Sequence, residues 1–248
     1  MHDPVGRGIE TDRLTKCFHH VVELPLVSVS RPPSFQRFKE QYIKLHLWEQ
    51  LRYERLLYMD ADFNIVRFDK LMGALRSDID FGGVQDWNRG AWASHWNGGF
   101  ILLKPDTEMA RKLFDNVDPF IAGNRFDTEM SEQGYISAYF DKMGFTLPTT
   151  YNLNLAIMYQ NEGAWKEYVK DAVAIHFTWV KPWLTEDMQY PFDLWHANLE
   201  RAKRMMDDLP MEVEGSEMES DSAKFSAAEE EKQSAAAMME EKRRRLRR

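Results

Sequence analysis

Leu56-Leu57-Tyr58-Met59-Asp60-Ala61-Asp62 is the stretch on which the reading of this chain turns. Four apolar or aromatic residues predict a short buried strand, and two acids one residue apart follow it directly. Open α/β sheets place ligands at the carboxyl ends of their strands. Two hard oxygen ligands at such an end suit a divalent cation that also holds a diphosphate. A solvated turn uses the same pattern, so Asp60 and Asp62 need partners from elsewhere in the chain.

On the N-terminal side, Phe38, Tyr42, Leu45, Trp48 and Leu51 recur at three and four and predict an amphipathic helix. Residues 20–24 read as a strand closed by Pro25. On the C-terminal side, residues 96–103 predict a strand that ends at Lys104-Pro105-Asp106. Residues 107–117 predict a helix with Met109, Leu113 and Phe114 inward. Residues 132–143 predict another, stopped by Gly144. A strand over 172–177 and a helix over 192–206 close the pattern. The alternation implies an α/β fold, a mostly parallel central sheet flanked by helices.

Whole-chain properties bound the function. A length of 248 residues with 44% hydrophobic content supplies a sizeable core. A net charge of -8 argues against general nucleic-acid binding, which needs a basic face for phosphates. The single cysteine, Cys17, rules out an intramolecular disulfide. Without a run of 18 apolar residues, no membrane span is expected. The expectation is a cytoplasmic protein, or a Golgi-lumen protein if an N-terminal anchor is missing. Composition changes near residue 210. Residues 1–209 read as the folded domain and 210–248 as a charged, disordered or helical tail, acidic first and basic from Lys242 onward.

Three further clusters carry chemistry. His176, in Ile175-His176-Phe177, offers an imidazole as a third metal ligand, and Lys181 five residues on offers a mobile charge for a phosphate. A packed core histidine reads the same way. In Trp96-Asn97-Gly98-Gly99-Phe100 the paired glycines suggest close approach of backbone to a ligand or another chain segment, and Asn97 suits a hydroxyl-rich substrate. A bulge or turn also explains them. Asp127, Glu129, Glu132 and Gln133 place acids at a helix start, where the dipole favours them. A functional role there needs a carboxylate beside a sugar's anomeric carbon.

Taken in order, these motifs resemble glycosyltransferase family eight. They are Lys44-Leu45-His46-Leu47-Trp48, Tyr58 to Asp62, Asn97-Gly98-Gly99-Phe100, Glu132-Gln133-Gly134, Tyr151-Asn152-Leu153 and His176 to Trp183. The resemblance covers about residues 20 to 185. It is to glycogenin and to plant-type glucuronosyltransferases, and the His176-to-Lys181 interval fits the plant type. It implies a GT-A, Rossmann-like fold and a retaining transferase that moves a hexose, glucose foremost, from a UDP-sugar with manganese. By that resemblance Asp60, Asp62 and His176 hold manganese, and Lys44 and Lys181 face the diphosphate. Asn97 and Gly98 bind the sugar, and Asp127, Glu132 and Gln133 form the catalytic set beside it. The family carries Asp where this chain has Glu132, and the segment between Phe126 and Gln133 is longer. The family's opening strand-plus-helix unit has no match before His20, so an N-terminally truncated domain is expected. A catalytically weak binding or scaffold protein is the rival reading. The acceptor is a glycan, lipid or protein. Tyr159 is the chain's own candidate, at glycogenin's interval after Tyr151-Asn152-Leu153 and ahead of a predicted exposed loop at 160–163. Self-transfer there would proceed most simply across a homodimer.

Overall fold

The structure, a computed structural model, describes residues 18–88, 90–185 and 189–207. The chain divides into two compact units, residues 1–200 and 201–248. The expected tail at 210–248 and Cys17 lie outside the described residues.

Among the described residues seven strands form two small sheets: β1 (Leu56–Met59), β2 (Phe63–Ile65), β3 (Phe81–Asn88), β4 (Ala91–Leu103), β5 (Phe145–Leu147), β6 (Leu153–Asn154) and β7 (Ala174–His176). One sheet has the order β1-β4-β3-β5 and the other β2-β7-β6. The fold is α/β as expected, but the sheets are mixed rather than mostly parallel. β4 runs antiparallel to β1 and β3, and β2 runs antiparallel to β7, while only β3–β5 and β6–β7 are parallel. The cause is local. Only residues 89 and 90 separate β3 from β4, and so short a link can join only antiparallel strands. Gly90 takes φ +84° there, a conformation that favours glycine.

The helices largely follow the apolar spacing. Residues 36–49 divide into α1 (Gln36–Lys39) and a 3-10 helix (Gln41–Glu49). Tyr42, Leu45 and Trp48 are three apart, which is the 3-10 repeat, and all three are buried on one face. Further on lie α2 (Phe68–Leu75) and α3 (Thr107–Ala122), the latter capped by Asp106 accepting from Met109 N at 2.6 Å. α4 (Ser131–Phe140), α5 (Ala156–Gln160), α6 (Glu162–Tyr168) and α7 (Phe192–Asp207) complete the set. Residues 20–24 form no strand; their side chains are largely exposed. The predicted loop at 160–163 is instead an exposed helix junction, with Asn161 accepting from Ala164 N at 3.0 Å to cap α6.

Trp48, Phe81 and Phe140 stack at the centre of the largest apolar cluster, with ring centroids 4.0 to 6.0 Å apart. This packing holds α4 against β3 and the 3-10 helix. The ends of β1 and β7 meet the middle of β4 at Gly99, and α4 meets it next door at Gly98.

Candidate active site

β1 ends at Met59, and Asp60 N donates to Gly99 O at 3.0 Å, which pins the first acid beside β4. Phe177 N donates to Asp62 O at 2.9 Å, which pins the second acid beside the end of β7. His176 thus faces both carboxylates. Its Nε2 is 3.2 Å from Asp62 Oδ1 and 4.0 Å from Asp60 Oδ2. One ligand atom from each of the three lies within 4.8 Å of the others. The imidazole is fixed on two further sides: its Nδ1 is 3.1 Å from Asn152 Oδ1, and its ring stacks on Phe63 at 4.2 Å. A proton on Nδ1 given to Asn152 would leave the Nε2 lone pair for a cation held between the imidazole and the acids, the outer-shell support usual for metal-bound histidine. Two carboxylates and one imidazole fit a divalent cation.

Lysines frame this triad on two sides. Lys181 contacts Asp62 Oδ2 and donates to Phe177 O at 2.6 Å. Burial works against charge on Asp62, but hydrogen bonds and charge from His176 and Lys181 outweigh it and hold its carboxyl well below the usual range. Lys44 is buried, and its Nζ lies 2.8 Å from Glu132 Oε1, 2.9 Å from Gly98 O and 3.3 Å from Asp60 Oδ1. Burial alone would lower the Lys44 pKa, but Glu132 and Asp60 raise it. Tyr58 OH donates to Asp60 Oδ1 at 2.6 Å. Its phenol is pushed up by burial and by the Asp60 charge, so it stays a donor.

Beyond Gly98 lies a second polar group. Asn97 Nδ2 donates to Asp86 Oδ1 at 2.8 Å, and Asn97 Oδ1 accepts from Gly99 N and from Asn152 Nδ2, each at 3.0 Å. Gly98 N donates to Gln133 Oε1 at 3.1 Å, and Asn154 Nδ2 donates to Asp86 Oδ1 at 3.2 Å. Burial opposes the Asp86 charge, yet the His95 imidazole, its Nε2 3.5 Å from Oδ2, and the hydrogen bond from Asn97 hold its carboxyl below the usual range. The two glycines make the junction possible. A Cβ on Gly98 would sit 2.5 Å from Glu132 Oε1, and one on Gly99 would sit 2.5 Å from His176 Cε1 and 2.8 Å from Asp60 Oδ2. Their role is close approach to other chain segments.

Asp60, Asp62, His176, Lys44, Lys181, Asn97, Gly98, Glu132 and Gln133 are thus brought together. Asp127 is exposed and caps the short turn Thr128–Met130, its side chain accepting from Glu129 N at 3.0 Å. Sequence reasoning does not reach Asp86, Asn154 or the outer-shell role of Asn152. β3 itself is obscured by Gly82-Gly83, which breaks its apolar alternation. The usable signal is the acid in Gln85-Asp86-Trp87, a buried charge next to a buried tryptophan.

Residues 33–187 match the family model described as Glycosyl transferase family 8. The chain belongs to that family. Glycogenin-1 of Caenorhabditis elegans is 26% identical over 177 residues, covering 66% of this chain and 38% of that protein. Galactinol synthase 1 of Solanum lycopersicum is 27% identical over 163 residues, covering 57% of this chain and 48% of that one. This family 8 chain therefore spans less than half the length of these curated relatives. Among solved structures, an active-site mutant of LgtC superposes with a TM-score of 0.53 at 13% identity, covering 69% of this chain and 71% of that one. The fold of this family 8 member is GT-A, with mixed sheets flanked by helices. Among the described residues no helix is long and apolar enough to cross a membrane.

Proposed function

We propose that this chain is a retaining hexosyltransferase that moves glucose from a UDP-sugar in a manganese-dependent reaction. The observation that carries the proposal is the shared wall: Gly98-Gly99 joins the Asp60–Asp62–His176 triad to the Asp86–Asn97–Gln133 cluster. A cation-and-diphosphate site and a hydroxyl-binding site lie side by side, as breaking a sugar–phosphate bond requires.

Asp60, Asp62 and His176 would hold the cation, which when bound supplies positive charge to a departing diphosphate. Lys181, at the rim on Asp62, can turn its ammonium to the same oxygens. Lys44 would face the diphosphate with Lys181, and it also holds Asp60 and Glu132 in place. Asn97, Gln133 and Asp86 offer donors and acceptors to sugar hydroxyls, and the Glu132 carboxylate suits a sugar gaining positive charge. Glu132 and Gln133 form the proposed catalytic set; Asp127, exposed and capping the preceding turn, stands outside it. Residues 1–209 would be the transferase domain and 210–248 a charged tail, in a cytoplasmic protein, or a Golgi-lumen one behind an anchor. The acceptor is a glycan, lipid or protein. Tyr159, half-exposed on α5, is the candidate for self-transfer between two copies.

Incubation with a panel of radiolabelled UDP-sugars and manganese tests this directly. Label in a product, strongest from UDP-glucose, is expected. Absence of both hydrolysis and transfer would favour a binding or scaffold protein. Hexose mass added to the protein and abolished by Tyr159→Phe would identify self-transfer.

A further inference from the structure

The short segment between His176 and Lys181 carries a side chain that the site does not use. Phe177 is buried, and Thr178 Oγ1 donates to Asn154 Oδ1 at 2.6 Å. Lys181 is held by Asp62 and Phe177 O. Both flanks are anchored, and between them Trp179 stands 56% exposed. Its ring lies near-parallel to that of Tyr159, at 12°, with centroids 6.3 Å apart. Tyr159 is 49% exposed. It sits on α5, whose last residue, Gln160, accepts from Trp87 Nε1 at 2.6 Å and from Gly90 N at 2.9 Å. Each ring therefore stands on a fixed support.

Place and chemistry narrow what covers this indole. Trp179 is three positions after His176 along the chain, so their Cα atoms are within about 11 Å. The rings lie at the rim of the site rather than on a remote face. The chain neighbours Gln160, Asn161 and Lys181 flank the two rings with polar groups, and the exposed Trp183 and Leu184 stand four and five residues beyond Trp179. A lipid tail or an apolar helix needs a broad apolar patch. A sugar ring needs an aromatic face for its C–H groups and polar neighbours for its hydroxyls.

We propose that Trp179, braced by Tyr159, is the platform for a carbohydrate acceptor, with a pyranose ring laid on the indole. The acceptor role rests on the proposed transferase; carbohydrate binding rests on the rings. Titration of the full chain, without donor, against soluble hexasaccharides of α-1,4-glucan, β-1,4-glucan and β-1,4-xylan tests it by calorimetry. At least one is expected to bind, with affinity about tenfold lower in Trp179→Ala and largely recovered in Trp179→Phe. Tyr159→Phe, which keeps the ring and removes the phenol, retains the binding. With that glycan in turnover, Trp179→Ala raises the acceptor KM about tenfold, while the donor KM moves by less than about twofold. Thermal melts confirm that the variants fold. Failure of the wild type to bind any of the three glycans, or equal binding by Trp179→Ala, overturns the platform. Trp179-dependent glycan binding without donor turnover keeps the platform and removes the transferase; donor turnover without such binding does the reverse.

Discussion

Lys44 and Glu132 form a buried ion pair, Nζ to Oε1 2.8 Å, with 5% of each side chain exposed. The pair crosses from the 3-10 helix Gln41–Glu49 to the first turn of α4, and the same ammonium reaches Asp60 and Gly98 O. One buried cation thus ties both helical segments to the end of β1. Removing one member of such a pair leaves the other charge in a poor solvent.

Glu132→Ala is expected to destabilise the fold by about 3 kcal/mol, the low end for a broken buried pair, because Lys44 keeps Asp60. The double variant Lys44→Met with Glu132→Leu should lose less than the two single losses added together. Urea unfolding of the wild type, Lys44→Met, Glu132→Leu and the double variant checks the coupling, and strict additivity would refute it.

Gly99→Ala should separate the triad. The added methyl meets His176 Cε1 and Asp60 Oδ2, neither of which can retreat from its hydrogen bonds without moving strand ends. Manganese affinity measured by calorimetry is expected to fall about tenfold or more. Unchanged affinity would mean that the triad is not the cation site.

Asp62→Asn and Lys181→Ala separate binding from catalysis. Asp62→Asn removes a charged ligand, so manganese-dependent UDP affinity should drop by more than about 100-fold. Lys181→Ala leaves the triad's three ligands in place. Its turnover should fall about 100-fold while the melting temperature stays near that of the wild type. A melting loss that accounts for all the lost activity would make Lys181 structural.

Acid should weaken the protein through Asp86. Its folded-state pKa is depressed, so the unfolded chain binds its proton first on acidification. The stability it contributes is complete above the ordinary carboxylate pKa, about 3.9, and is lost as pH falls through the lower folded value. Asp86→Asn should flatten that part of the stability–pH curve below about pH 4. Urea midpoints measured between pH 2 and 6 provide the comparison, and parallel curves for the two proteins would refute the assignment.

Much of the site is legible in one dimension because its pieces are local. A strand that stops at Asp60-Ala61-Asp62, a histidine ending a buried run and a lysine five residues later are patterns set by neighbouring residues. Helix faces follow likewise: the three-residue spacing of Tyr42, Leu45 and Trp48 is enough to bury one face. What the sequence alone did not determine is pairing across the chain. β3 is broken by Gly82-Gly83 and finds its place only through β4, so Asp86 emerges only once the hairpin forms. The antiparallel pairing of β3 and β4 depends on the two-residue link before Ala91, which propensity does not register. Asp127 and Glu132 look alike as acids near a helix start, yet one caps a solvated turn and the other pairs with a buried lysine. Residue type and spacing determine which groups can do chemistry. Long-range packing decides which of them lose their water, and with it how strongly their charges act on one another.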